Sequence, residues 1–476
     1  MKLSNIIIVL YLAVSAILFT SFFVNLFVWT SFFMTWLMLT IIFLYHLKIE
    51  KDYSPFLSAY ITFNFLFFLL APMVQIKAFT DSENLFPNYF PYSEGAVFYT
   101  NVLILISHII FFWAYLFFKK RKRKTIKITT YKSSKYLPLN LIIMLIIGIT
   151  TLVMSFDYLV TLLTESHWKS TRLYDLSVSS QLILKKVLFM MPFGALVLAY
   201  AYLKTKSKKK LNTNTIVIFF VLILFLALLL FFKNPLTEKR NAIGPIYITL
   251  LFLFTPKLLN SNIKSFVFLF FSLVILFPMI SGLTHLDASI DQIIADPSLI
   301  VERYNRESIT KTFNTLHYDA FANVMATVDY TVKNGLSYGY QILSGLLFFI
   351  PRSLWTSKPI STGELIGDYV IEDYGFEYSN LSNPIVAEGY INFGIFGVIL
   401  LSFFLAYFVV KFMFWLKGND PLKKIMAFYF AVHLMFLLRG DFTNGFSYFV
   451  GTLIGVLVVP KAIDLVLKMS FKKSSK

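Results

Sequence analysis

Arginine is scarce in this chain: eight residues against 35 lysines. The guanidinium is the better bidentate partner for phosphate and carboxylate, so its placement is the first guide to chemistry. Arg352 lies in Ile350-Pro351-Arg352-Ser353-Leu354-Trp355-Thr356-Ser357-Lys358-Pro359. The two prolines stop helix on either side and hold Arg352 and Lys358 on a stiff loop. Ten residues then separate Arg352 from Gly363. Arg240 precedes Pro245 and the apolar run Ile246 to Phe254. It therefore opens a helix whose free N–H groups and dipole favour an anion, with a snorkelling interface charge as the alternative. Arg439-Gly440-Asp441 closes another apolar run. A boundary arginine is by default a functional residue, and an Arg439–Asp441 structural pair is the alternative. For proton transfer the best candidate is Glu388, in Asn383-Pro384-Ile385-Val386-Ala387-Glu388-Gly389-Tyr390. Asn before Pro reads as a helix start and puts Glu388 about one turn in, where a carboxylate suits a general base. A Glu bonded to a nearby Arg or Tyr is the alternative. His317, two residues before Asp319, stands behind it.

Other chemistries find no purchase. There are no cysteines, and the six histidines show no metal-ligand spacing, so neither metal nor cofactor is expected. No P-loop, dinucleotide fingerprint, serine elbow or HExxH is present.

The elements that must position these residues are membrane helices. Of 476 residues 57% are hydrophobic and only 14% charged, with mean hydropathy +0.71. Soluble domains carry about 25% charged residues, so this composition excludes an ordinary soluble enzyme and a disordered chain. Twelve stretches approach the roughly 20 apolar residues of a crossing. They are 5–22, 26–46, 55–76, 95–118, 137–156, 182–203, 214–232, 242–257, 265–284, 385–416, 424–438 and 446–467. The expectation is an all-α polytopic fold with about 12 crossings (11–14). Residues 1–284 carry the first nine, 285–384 form one large loop, and 385–476 carry the last three and a basic tail. Segment 337–350 is apolar but short, and reads as re-entrant or interfacial, with a full span as the alternative.

Basic loops orient the chain. Lys119 to Lys135 holds nine bases and no acid, and Lys204 to Lys210 holds five lysines. With twelve spans these runs share one side with both termini, and the positive-inside rule makes that side cytoplasmic. The net charge of +18 is then a topology signal rather than a nucleic-acid footprint, which would interleave aromatics with arginines. Six arginines (Arg172, Arg240, Arg303, Arg306, Arg352 and Arg439) fall outside, and the long outer loop carries 12 acids and six bases. Loops of that length are usually functional. A solvated connector is the bland reading of its composition.

The stretch from Tyr318-Asp319 through Tyr338-Gly339-Tyr340-Gln341, Pro351-Arg352-Ser353-Leu354-Trp355, Lys358-Pro359, Gly363 and Ala387-Glu388-Gly389-Tyr390-Ile391-Asn392-Phe393-Gly394 resembles the Wzy-type repeat-unit polymerases of O-antigen and capsule. The Arg352-x10-Gly363 spacing is similar to an arginine–glycine motif of that family's outer loops. Neither Arg240 nor Arg439 has glycine at that distance, so a second copy is missing. The resemblance implies the polytopic architecture of lipid-carrier-dependent (GT-C-like) glycosyltransferases and a metal-independent, inverting transfer. Donor and acceptor would be oligosaccharides on undecaprenyl pyrophosphate, with a chain-length regulator as a further partner and the bacterial cytoplasmic membrane as the location. It implies Arg240, Arg352 and Arg439 as a pyrophosphate clamp supported by Lys358, with Glu388 or His317 as base. A flippase of lipid-linked oligosaccharide would show two related halves and short outer loops. A glycan ligase would use the same clamp, and a non-enzymatic envelope regulator would hold its arginines structurally.

Overall fold

The computed structural model describes residues 2–81, 85–123, 133–164, 178–206, 213–235, 237–238, 240–273 and 313–473. Among the described residues the regular structure is helical, with a single β-bridge between Leu85 and Pro91. In chain order the helices are α1 (Leu3–Ser21), α2 (Leu26–Leu44), α3 (Pro55–Phe65), α4 (Ala71–Asp81), α5 (Glu94–Arg123) and α6 (Leu137–Thr164). Then come α7 (Val178–Lys186), α8 (Met191–Lys206), α9 (Thr213–Phe232), α10 (Arg240–Phe254) and α11 (Asn262–Phe271). Beyond residue 312 follow α12 (Ala320–Asn334), α13 (Tyr340–Leu346), α14 (Thr362–Tyr374), α15 (Ile385–Lys417), α16 (Pro421–Arg439), α17 (Phe442–Leu453) and α18 (Val459–Lys473).

The chain is an all-α polytopic membrane protein. Ten of the twelve expected stretches fall on helices long and apolar enough to cross a membrane. The other two fall on shorter apolar helices, Ala242–Phe254 and Asn262–Phe271. Three crossings contain π-helical turns, at Tyr45–Ile49, Leu66–Leu70 and Ile454–Val458. Within 55–80 the 18-residue apolar window is 94% buried, whereas the corresponding window of 213–232 is only 33% buried. A helix apolar all round must be covered by protein or by lipid. The first is the hub of the bundle, and the second presents its side to the bilayer.

Between the bundle's two parts lies the 313–384 segment. α12 is buried on most of its length and packs on α15 and α14. α13 spans seven residues, far short of a crossing. Pro351 and Pro359 border a non-helical loop, as their chemistry requires. Arg172, Arg303 and Arg306 lie outside the described residues, as does 285–312 of the expected outer loop.

The tenth expected span, 385–416, departs from a straight helix. Phe393 (φ −144°, ψ 22°) and Gly394 (φ 60°, ψ −142°) leave helical geometry. On a Cβ at Gly397, the Gly389 carbonyl oxygen would sit 1.9 Å away. In an unbroken helix two residues eight apart are about 12 Å apart at 1.5 Å rise per residue. The half-helix 385–392 therefore turns back on the crossing helix, residues 395–417. The turn is braced by Ser337, whose N–H donates to the Ile391 carbonyl at 2.9 Å. Asn392 Oδ1 accepts from the Ser337 hydroxyl at 3.0 Å and from Ile342 N–H at 3.3 Å. Gly394 has the left-handed φ that lets the chain reverse.

Candidate functional site

The turn-back places Glu388 at a convergence of helix ends. Ser361 caps α14 and Asp441 caps α17, each accepting from a backbone N–H of its helix's first turn. Both are residue types that prefer this position, because their short side chains reach the free N–H groups. Glu388 lies between the two ends. Its Oε1 accepts from Phe442 N–H at 2.7 Å and from the Thr362 hydroxyl. Phe442 and Thr362 are the first residues of α17 and α14. One helix N-terminus thus offers this oxygen a backbone N–H and the other a side-chain hydroxyl, so the carboxyl is fixed in position by two helix ends. The side chain is 2% exposed, and among the described residues no cation lies within ion-pair distance. The expected alternative of a Glu bonded to Arg or Tyr is thus replaced by bonds to a threonine and a backbone amide.

Asp441 is the second carboxylate of this site. It accepts from Asn444 N–H and Nδ2, both at 2.7 Å. Burial pushes its carboxyl above the usual carboxylate range, against the pull of the Asn444 and Ser361 hydrogen bonds. Gly363 explains its own identity here. A Cβ on it would lie 2.1 Å from the Leu381 carbonyl oxygen and 3.5 Å from Asp441 Oδ2. The glycine of the Arg-x10-Gly spacing is where α14 presses against the Leu381 backbone, beside the Asp441 carboxylate.

Arg439 occupies a neighbouring station. Its Nη2 donates to the Leu316 carbonyl at 3.0 Å and pairs with Asp319 Oδ1 at 3.3 Å. The partner is therefore Asp319, 120 residues away, and not Asp441. Burial raises the Asp319 carboxyl and the Arg439 charge opposes it. Arg439 Nε is buried without a hydrogen-bond partner. One face of this guanidinium is committed and another is not. Ser382 donates to Asp319 at 3.0 Å, and Asn323 donates to the Ser382 carbonyl at 2.5 Å. Thr327 donates to Asn383 Oδ1 at 3.0 Å. This buried network holds 382–383 and so aims the half-helix that carries Glu388. His317 is exposed on the turn Leu316–Tyr318 that supplies the carbonyl to Arg439.

Arg352 and Lys358 form a third station. Arg352 is exposed, and donates to the Lys358 carbonyl through Nη1 and to the Pro359 carbonyl at 3.2 Å. Lys358 Nζ donates to the carbonyls of Leu347, Phe348 and Ile350 at 3.1, 3.0 and 2.9 Å. All three ammonium protons are thereby used to close the loop over the end of α13, the arrangement expected of a cation near helix carbonyls. Burial, then the Arg352 charge, lowers the Lys358 ammonium's pKa. The loop is tied to the site through α13: a Cβ on Gly345 would meet the Phe442 ring at 2.8 Å. None of the bonds made by Arg352 reaches Glu388 or Arg439. Arg240 starts α10, as its helix-opening position requires, and its side chain lies outside the described residues.

Sequence reasoning overlooked three participants. Asp441 was seen only as a partner for Arg439. Thr362 sits inside the Arg-x10-Gly spacing without a signal of its own. Lys186 is buried, and the Lys185-Lys186 pair inside an otherwise apolar stretch is the cue that would have found it. Among the described residues no cluster of three acids or histidines could hold a metal ion.

Residues 371–472 match the family model described as O-antigen polysaccharide polymerase Wzy. No curated protein and no solved structure matches the chain. The matched segment takes in Glu388, Arg439 and Asp441 and begins beyond Arg352, and over it the expected family resemblance holds. It supports a repeat-unit polymerase acting on lipid-linked oligosaccharide in a membrane.

Proposed function

We propose that this chain, whose residues 371–472 carry the Wzy polymerase signature, joins oligosaccharide repeat units on undecaprenyl pyrophosphate at the outer face of the bacterial cytoplasmic membrane. The observation that carries the reading is Glu388, a buried carboxyl group held by the Thr362 hydroxyl and the Phe442 N–H at two helix starts, with no cation within ion-pair distance among the described residues. Such a group is oriented and desolvated but not neutralised by an ion pair, which is what a general base requires.

The step follows from that placement. A hydroxyl of the acceptor sugar approaches Glu388 and attacks the anomeric carbon of the donor glycan. The new C–O bond forms as the bond from that carbon to the pyrophosphate oxygen breaks. The hydroxyl proton passes to Glu388, and undecaprenyl pyrophosphate leaves with the electron pair. Negative charge grows on the leaving phosphate. Arg439, two residues from Asp441 and with a buried, unbonded Nε, is the guanidinium that would stabilise it. Arg352 and Lys358 act first by fixing the loop, and Arg240 stands at a helix N-terminus suited to the same anion. Attack opposite the leaving group gives inversion. His317 is the reserve base, on the turn that holds Arg439.

The test is reconstitution of the full chain in liposomes with a synthetic lipid-linked repeat unit. A ladder of products in multiples of the repeat supports the polymerase. Movement of the substrate between leaflets without a ladder indicates a flippase. Transfer of preformed polymer to a different acceptor indicates a ligase.

A further inference from the structure

Lys186 ends α7 at the outer end of a crossing, and it is 8% exposed. Its ammonium donates to Ser447 Oγ at 2.5 Å and lies 4.3 Å from the Tyr448 ring centre and 5.9 Å from that of Phe348. No described carboxylate lies within 4 Å of it; Asp441 acts on it from farther away. Lys233, nearby and 3% exposed, shows the usual solution, an ion pair with Glu238 at 2.9 Å. A buried cation left without a counter-charge is costly, and at a membrane boundary it marks a functional position.

Packing keeps Lys186 where it is. A Cβ on Gly451 would lie 2.5 Å from Lys186 Cβ, one on Gly455 2.4 Å from the Val187 carbonyl, and one on Gly194 2.5 Å from the Val456 carbonyl. Three glycines thus draw the α7–α8 chain against α17 and its π turn. The lysine stem emerges from this seam and its head reaches Ser447, on the side of α17 that runs towards Asp441. Across the seam lies Phe348, whose carbonyl holds the Lys358 ammonium, and Arg352 pins the same loop. Lys358 thus has all three ammonium protons on backbone carbonyls, whereas buried Lys186 has one protein oxygen, Ser447 Oγ, within hydrogen-bond distance among the described residues.

We propose that Lys186 is the buried cation of an anion site that takes the phosphate groups of a lipid-linked pyrophosphate between α17 and the 347–359 loop. The identity of the anion rests on the polymerase reading; the need for an anion does not. Its phosphate oxygens would accept from the two unused ammonium protons, with Tyr448 and Phe348 excluding water.

The test uses the full chain in detergent, titrated with farnesyl pyrophosphate, with inorganic pyrophosphate and phosphatidylglycerol nanodiscs as competitors. The expected result is binding that inorganic pyrophosphate competes for, weakened at least tenfold in Lys186→Met at an unchanged melting temperature. Undiminished binding by folded Lys186→Met overturns the proposal, and so does competition by phosphatidylglycerol alone, which assigns the site to a lipid headgroup. If Lys186→Met does not fold, Ser447→Ala decides: it removes the bond that orients the ammonium, and a threefold or greater change in affinity is expected, with no change overturning the site. Lys186-dependent binding without a product ladder leaves the site standing and removes the polymerase. A ladder indifferent to Lys186 does the reverse.

Discussion

Two charged clusters at opposite ends of the bundle are built on different terms. At the end carrying the lysine runs, Lys119 Nζ donates to both oxygens of Glu50, at 2.5 and 2.6 Å, and lies 3.5 Å from Asp52. Asp52 also pairs with Lys417 at 2.7 Å, and Tyr115 donates to Glu50 at 2.7 Å. Every charge there has an opposite within reach. At the other end, among the described residues, no cation lies within 4 Å of Glu388 and no carboxylate within 4 Å of Lys186, and Arg439 keeps a buried Nε unbonded. Saturated charges fasten helices. Unsaturated ones, held rigid by helix caps and glycine seams, leave bonding capacity for something that arrives.

The comparison can be broken at either end, and the largest effect is expected at the saturated one. Lys119→Met leaves the fully buried Glu50 carboxylate without its cation. Breaking such a pair costs about 3–5 kcal/mol, so the detergent-solubilised protein should melt at a clearly lower temperature while the surviving folded fraction keeps its turnover. Gly363→Ala at the unsaturated end forces a Cβ onto the Leu381 carbonyl. An overpacking cost of about 1–3 kcal/mol is expected, together with slowed product formation, because α14 must move off Glu388. Arg439→Lys keeps the charge but loses the planar guanidinium, whose Nη2 meets both Leu316 and Asp319 and whose Nε is unbonded. Ladder assays should show roughly a tenfold fall in rate, about 1.4 kcal/mol, with little change in melting. Lys333→Ala removes exposed pairs with Asp329 and Asp373 and serves as the floor: neither melting nor turnover should move, and a large effect there would blur the contrast.

Much of the framework could be read from the chain, because lipid imposes long apolar runs and ten of them lie on helices long and apolar enough to cross a membrane. Pro351 and Pro359 marked a loop, and Asn383-Pro384 marked the start of the helix bearing Glu388. The reversal at Phe393–Gly394 was hidden, because an apolar run continues through it and the reason for it is a contact between Gly389 and Gly397 in three dimensions. The Arg439–Asp319 pair was hidden for a like reason. Local spacing favours Asp441, which instead caps α17. Arg352 and Lys358 were rightly placed on a stiff loop, but the carbonyls that take up their protons come from the same loop. Composition cannot distinguish a cation offered to a ligand from one that closes its own backbone.

The most direct measurement compares Glu388→Gln with Glu50→Gln in one reconstituted assay, recording the initial rate of ladder formation and the melting temperature on the same samples. The account predicts that Glu388→Gln lowers the rate by about a hundredfold or more at near-normal melting temperature, and that Glu50→Gln lowers the melting temperature while its folded fraction works at close to the normal rate. Full turnover by Glu388→Gln would contradict it.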